Sequence, residues 1–306
     1  MSSYGFLAIK SLLKKEFIEH KVAFLYVPGI LLSLLFLALF TAIWRNGGNF
    51  EMMGEFGAPE EGVDLFSVLY VMSIAIWLGY LTLMLFFYFA GSFHADRKNN
   101  SLLFWKSLPV SDLEIMATKT LAGLTVFPAL IMFWAFLGAV FGYIVLNSVG
   151  GISPLVAALN SGTTLWTFIN IQVSAMVFIF FSLLWYLPLF TFFGLLGALL
   201  KNWAGLAFIL IIAMVSALES ILSFSASGVF AQMLEDRLSK PFEIIKNITE
   251  SQAYVMPSNI FDTISIANFV PGFLSQIDWA QMAIGWGLSA LFIYLASEYR
   301  RRRLDA

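Results

Sequence analysis

The chain has 306 residues, 60% of them hydrophobic and only 12% charged, with a net charge of −2 and 32 phenylalanines. A soluble domain carries about 25% charged residues, so this chain has too little polar surface to cover a water-soluble globule, and lipid must be its main solvent. The absence of cysteine excludes disulfides, thiolate metal sites and thiol nucleophiles. Two histidines far apart in sequence, His20 and His94, leave no basis for a metal centre, and none is expected.

The expected fold is an all-α polytopic membrane protein forming a single transmembrane domain over 1–306, with no separate soluble unit. Residues 1–23 open it as a cytoplasmic segment. Within it, 3–21 predict a modestly amphipathic helix with Phe6, Ile9, Leu13 and Phe17 on one stripe and Lys15 and Glu19 opposite. It is read either as a helix lying in the membrane interface, with lysines reaching headgroups, or as a positive flank that sets topology.

Crossing the hydrocarbon takes about 20 apolar residues. Six runs are read as spans: 24–44, 65–91, 121–146, 167–200, 204–222 and 282–296. The first contains Pro28 and Gly29, and the third contains Pro128. The fourth is longer than one crossing requires, so it tilts, starts in the interface or bends at Pro188. The last is short and extends back toward Ile277.

Orientation follows from the basic residues between spans. Lys10, Lys14, Lys15, Lys21, Arg97, Lys98, Lys106, Lys119, Lys201 and Arg300–Arg303 fall on one side, against Arg45, Arg237, Lys240 and Lys246 on the other. Both termini are therefore expected in the cytoplasm. The opposite side is acidic, with Glu51, Glu55, Glu60, Glu61 and Asp64 in its first loop.

The cytoplasmic segment 92–120 is the most informative stretch. A polar run, Asp96–Asn100, precedes four adjacent apolar residues, Leu102, Leu103, Phe104 and Trp105, and then Lys106-Ser107-Leu108-Pro109. Ser111 with Glu114 three residues on matches a capping box, so a new helix is expected to start there and run into the third span. An apolar cluster on such a segment needs a cover, either the membrane interface or a groove on another protein.

With its polar run, its Ser-Leu-Leu-Phe-Trp-Lys-Ser-Leu-Pro-Val-Ser sequence and its acidic helix start ending in Lys119, this segment resembles the cytoplasmic loop of ABC-2 type export permeases, the membrane subunits of ATP-binding-cassette exporters. The resemblance is specific at residue level only over 96–119, while the layout of the whole chain fits. It implies six spans, an N-terminal interfacial helix, a coupling helix between spans two and three, and an outer cap at 223–281 between spans five and six. It further implies that Arg97, Lys98, Leu102, Leu103, Phe104, Trp105, Lys106 and Leu108 contact a separate nucleotide-binding (ATPase) subunit. A second permease chain, as homo- or heterodimer, completes the assembly in the cytoplasmic membrane of a bacterial cell.

No stretch matches G-x-x-x-x-G-K-[ST], the loop that cradles nucleotide phosphates, so ATP and magnesium are expected on the partner, and no cofactor in this chain. No nucleic acid is expected as a partner; membrane lipids are. No catalytic residue is assigned. A protease or transferase at membrane depth needs paired ionisable groups, and Glu60-Glu61 lies on an outer loop with no histidine nearby. A secondary transporter or a non-transporting scaffold is the alternative class.

Four residues are singled out as candidates for gating or substrate contact. Glu219 is the one carboxylate inside an apolar run, and intramembrane ionisable residues are functional candidates by default, though it lies near enough to the outer interface to stay hydrated. Phe261, Ile264 and Phe269 belong to the apolar run Ile260–Leu274 of the cap, which is expected to stop at Pro271-Gly272. That run either closes the outer end of a transport path or rests on the leaflet. Lys240-Pro241 is expected to interrupt the other helical run of the cap, Phe230–Asn247.

Overall fold

The computed structural model describes residues 3–45, 65–98, 111–148, 164–200, 203–223, 229–253 and 266–304. They form helices throughout, with no strand among the described residues. In chain order these are α1 (Ser3–Lys21), α2 (Val27–Arg45), α3 (Leu65–Lys98), α4 (Asp112–Leu124), α5 (Val126–Ser148), α6 (Thr164–Leu200), α7 (Ala204–Ser223), α8 (Val229–Ala253), α9 (Ile266–Gln276) and α10 (Trp279–Leu304).

Among the described residues, five stretches are long and apolar enough to cross a membrane: Ala8–Ala42, Leu69–Gly91, Asp112–Ile144, Phe168–Leu200 and Trp279–Arg302. A shorter apolar helix, Ala204–Glu219, makes up most of α7. The chain is thus an all-α, multi-pass membrane protein. Lipid is the solvent for the faces left uncovered, such as Ile30, Leu34, Leu35 and Phe40 on α2 and Ile209, Leu210 and Met214 on α7.

The first helix departs from expectation. No break separates 3–21 from the first span; a single π-turn, Val22–Tyr26, joins them, with the Val27 N–H bonded to the Val22 carbonyl. Pro28 explains it. Proline has no N–H to donate and its ring crowds the carbonyls of the preceding turn, and the wider π-turn relieves that crowding without ending the helix. The buried face of α1 also differs from the expected stripe. Leu12 and Glu16 are buried, whereas Ile9, Leu13 and Phe17 are half-buried. Lys15 and Glu19 do form a surface pair, at 3.5 Å.

At the centre, α3 packs along α6. Phe89 stacks on Phe190 at 5.3 Å, and Tyr70, Trp77, Leu81 and Leu85 of α3 are buried in the same core. The helices come into backbone contact at Gly197, where a Cβ would collide with the carbonyl oxygen of Ala90. In lipid, where apolar burial gives little drive for association, such close backbone contact is a main source of helix–helix attraction. A polar thread crosses the interior as well: the Tyr70 hydroxyl donates to Gln172 Oε1, and Gln172 Nε2 donates to the Met132 carbonyl at 3.2 Å.

Two prolines inside helices are accommodated by the same device. Pro188 leaves the Leu184 carbonyl of α6 without its backbone donor, and Trp286 of α10 donates its indole N–H to that carbonyl at 3.3 Å. Pro241 likewise frees the Arg237 carbonyl of α8, which accepts from Trp185 Nε1 at 2.8 Å. Tyr186 adds a hydrogen bond from its hydroxyl to the Leu238 carbonyl, also 2.8 Å. Backbone groups freed within a membrane must find a neighbour's donor, and here aromatic side chains of adjacent helices supply it. The α6 helix is therefore continuous through Pro188.

The expected interruptions in the cap are corrected in the same way. α8 runs unbroken through Lys240-Pro241, and α9 continues past Pro271-Gly272 to Gln276. Trp286→Phe keeps the ring but removes the donor. We expect it to lower the stability of the detergent-solubilised protein by about 1 kcal/mol, measurable as a lower thermal midpoint.

Candidate functional site at the base of the 99–110 segment

Residues 99–110 join α3, which ends at Lys98, to α4, and the start of α4 is firmly built. Ser111 caps α4 through its hydroxyl, which accepts the Glu114 N–H at 3.2 Å, while Glu114 Oε2 accepts the Ser111 N–H at 2.8 Å. This capping box satisfies two backbone donors at the helix start, where the helix dipole also favours Asp112 and Glu114. Asp112 is in turn paired with Arg300 from the end of α10, Oδ1 to Nε at 3.0 Å.

Two turns further on, Lys119 points inward. It is 1% exposed and its Nζ lies 2.6 Å from Glu16 Oε1 of α1, which is 3% exposed. The Tyr88 hydroxyl, from α3, is shared between Glu16 Oε2 at 3.0 Å and the Lys119 carbonyl at 2.8 Å. His20 packs edge-on against Tyr88 at 4.8 Å, with Nε2 3.9 Å from Glu16. The stacked rings of Phe24 and Phe127, 4.1 Å apart, seal the cluster from the interior side. A charge pair out of water costs several kcal/mol per ion in desolvation, offset only where the partners and hydrogen bonds are all present; here they are.

Glu16, Glu19 and His20 offer ligand atoms within 4.8 Å of one another. Glu16 is matched by Lys119 and Glu19 by Lys15, so the arrangement is an ionic network that ties α1, α3 and α4 together. What it can do chemically is mechanical. A displacement of α4 carries Lys119 with it, and α1 must follow or lose the pair.

The residues singled out from the sequence fall partly on three helices and partly outside the described residues. Arg97 and Lys98 form the last turn of α3. Leu102, Leu103, Phe104, Trp105, Lys106 and Leu108 lie in 99–110, outside the described residues, as do Phe261 and Ile264 in 254–265. Glu219 is half-buried in the last turns of α7, and it is not free of partners. Phe269 is buried in α9, stacked 5.7 Å from Phe273, which meets Phe178 of α6 edge-on at 5.6 Å. It is a core residue that helps seat α9 on α6.

Sequence reasoning missed Glu16, Tyr88 and His20 as a cluster, and took Lys119 as a topological charge and the end of the 96–119 motif. A signal was present: Glu16 lies four residues after Leu12, and Lys119 four after Ile115, so each charge is in register with a buried apolar position.

No protein-family model, curated protein or solved structure matches this chain.

Proposed function

We propose that this chain is the membrane permease of an ABC-2 type exporter, moving a substrate across the cytoplasmic membrane with ATP hydrolysed by a separate nucleotide-binding subunit. The observation that carries the reading is the segment 92–120, whose apolar run Leu102–Trp105 stands between two built anchors, the end of α3 and the capped start of α4. In this reading Arg97, Lys98, Leu102, Leu103, Phe104, Trp105, Lys106 and Leu108 meet the ATPase, which holds ATP and magnesium. The Glu16–Lys119 pair then passes the motion of α4 to α1. α7 serves as the fifth of six spans, 223–281 as the outer cap, both termini lie in the cytoplasm, and two permease chains enclose the path. Glu219 and the 260–274 stretch belong to its outer part.

Replacing Phe104 and Trp105 together with serine tests the reading. The double variant is expected to insert and fold normally while an ATPase subunit that co-purifies with the wild type from its native membrane is lost. Equal recovery of that subunit with the variant, or no ATPase with the wild type, rejects the coupling role.

A further inference from the structure

The sequence closes α10 with a run of four arginines, Arg300–Arg303, and the helix turns its members to different faces. Arg300 faces inward: its side chain is 9% exposed, and its Nε lies 3.0 Å from Asp112 of α4. Arg301 and Arg302 face outward, with side chains 67% and 78% exposed. The division follows from 3.6 residues per turn. Arg300 continues the buried row of Ser289 and Ala296, whereas Arg302 continues the uncovered row of Ile284, Leu288, Leu291 and Leu295.

The two outward arginines are tied together. Glu298, on the same row as Arg302, accepts from Arg301 Nη2 at 3.0 Å and from Arg302 Nε at 2.9 Å, both through Oε1. Among the described residues neither arginine has another partner. Each guanidinium carries five N–H groups, so most of them are left for an outside acceptor. Two guanidiniums against one carboxylate leave one positive charge uncompensated, which a single phosphodiester matches. A flank that only sets topology gains nothing from a glutamate that gathers its arginines and cancels half their charge.

The surface leading up to this cluster is apolar and open. No described helix covers it, and a Cβ added at Gly287 would meet nothing within 4 Å. Trp279–Arg302 is long and apolar enough to cross a membrane, so the arginines stand at the end of a candidate span. From Leu291 to Arg302 the helix rises about 16 Å, close to half of a hydrocarbon core of about 30 Å. One leaflet's depth of apolar row thus ends on a charged group of the right sign for an anion.

We propose that the end of α10 binds one acidic phospholipid, its phosphodiester held by Arg301 and Arg302 around Glu298 and an acyl chain laid along Leu295, Leu291 and Leu288. Guanidinium forks take phosphate oxygens in pairs. The apolar row selects a lipid over free phosphate, because only a lipid covers both parts of the site. The site needs no ATPase partner and stands or falls separately from the exporter reading.

The test uses the full chain, delipidated in detergent and titrated with phosphatidylglycerol or with phosphatidylcholine of the same acyl chains. The thermal midpoint is the readout, and the wild type is expected to respond to phosphatidylglycerol at the lower concentration. Each arginine should contribute about fivefold, so Arg301→Gln with Arg302→Gln should need roughly 30-fold more phosphatidylglycerol for the same shift. Lys10→Gln with Lys14→Gln removes the same charge from exposed positions of α1 and should leave the response unchanged. The proposal is overturned if the wild type does not distinguish the two lipids, or if the arginine variant responds like the wild type. A loss of the same size in the lysine variant marks a diffuse charge effect and overturns it as well. So does an equal shift with inorganic phosphate alone, because the apolar row then plays no part.

Discussion

Lys119→Met is expected to destabilise the protein by about 3–5 kcal/mol, the cost of leaving a buried charge without its partner. Glu16 would remain 3% exposed, with only the shared Tyr88 hydroxyl and a histidine 3.9 Å away to compensate it. Thermal or denaturant unfolding of the solubilised protein measures the loss. The discriminating comparison is the double variant Glu16→Leu with Lys119→Met. Removing both charges should recover most of the loss, because an apolar pair of similar volume replaces a buried ion pair at little net cost. If the double variant is no more stable than the single one, the pair contributes through something other than charge compensation.

The second large effect is expected at Gly197. Valine there places a Cβ on the carbonyl oxygen of Ala90, a backbone atom that no side-chain rotation can move. Overpacking a close seam costs about 1–3 kcal/mol, occasionally more, and the only relief is separation of α3 from α6. That separation would loosen the Phe89–Phe190 stack one seam position away. Lower yield of folded protein and a lower thermal midpoint are the readouts. Gly79→Ala on the same helix α3, where a Cβ meets nothing within 4 Å, is the control and should be silent.

The apolar runs were legible because crossing a bilayer demands a length and composition that few other structures need. The start of α4 was legible for a local reason: the capping box is written within four residues, Ser111 to Glu114. Gly194 and Gly197 are close-packing positions, against Phe93 and Ala90. Features that depend on a distant partner were not legible. Glu16 looks like a surface charge until Lys119, 103 positions away, is placed against it. Lys240-Pro241 looks like a helix end because the sequence around it offers no donor for the Arg237 carbonyl; the donor is Trp185, 52 positions earlier. Trp286 and Leu184 are 102 apart. The inward face of α1 was misplaced for the same reason, since a stripe drawn by hydrophobicity passes over a buried glutamate.

The two tryptophan–proline contacts have a consequence for how the molecule can move. Leu184 receives from α10 and its neighbour Trp185 gives to α8, so a single turn of α6 is both acceptor and donor in a three-helix chain of hydrogen bonds. Sliding α10 along α6 would strand the Leu184 carbonyl that Pro188 leaves open, inside a solvent that cannot replace the lost donor, and sliding α8 would strand the Arg237 carbonyl. These three helices are therefore geared to travel together as one block. Any large displacement between two states of the protein should fall on the boundaries of this block with the other helices rather than within it.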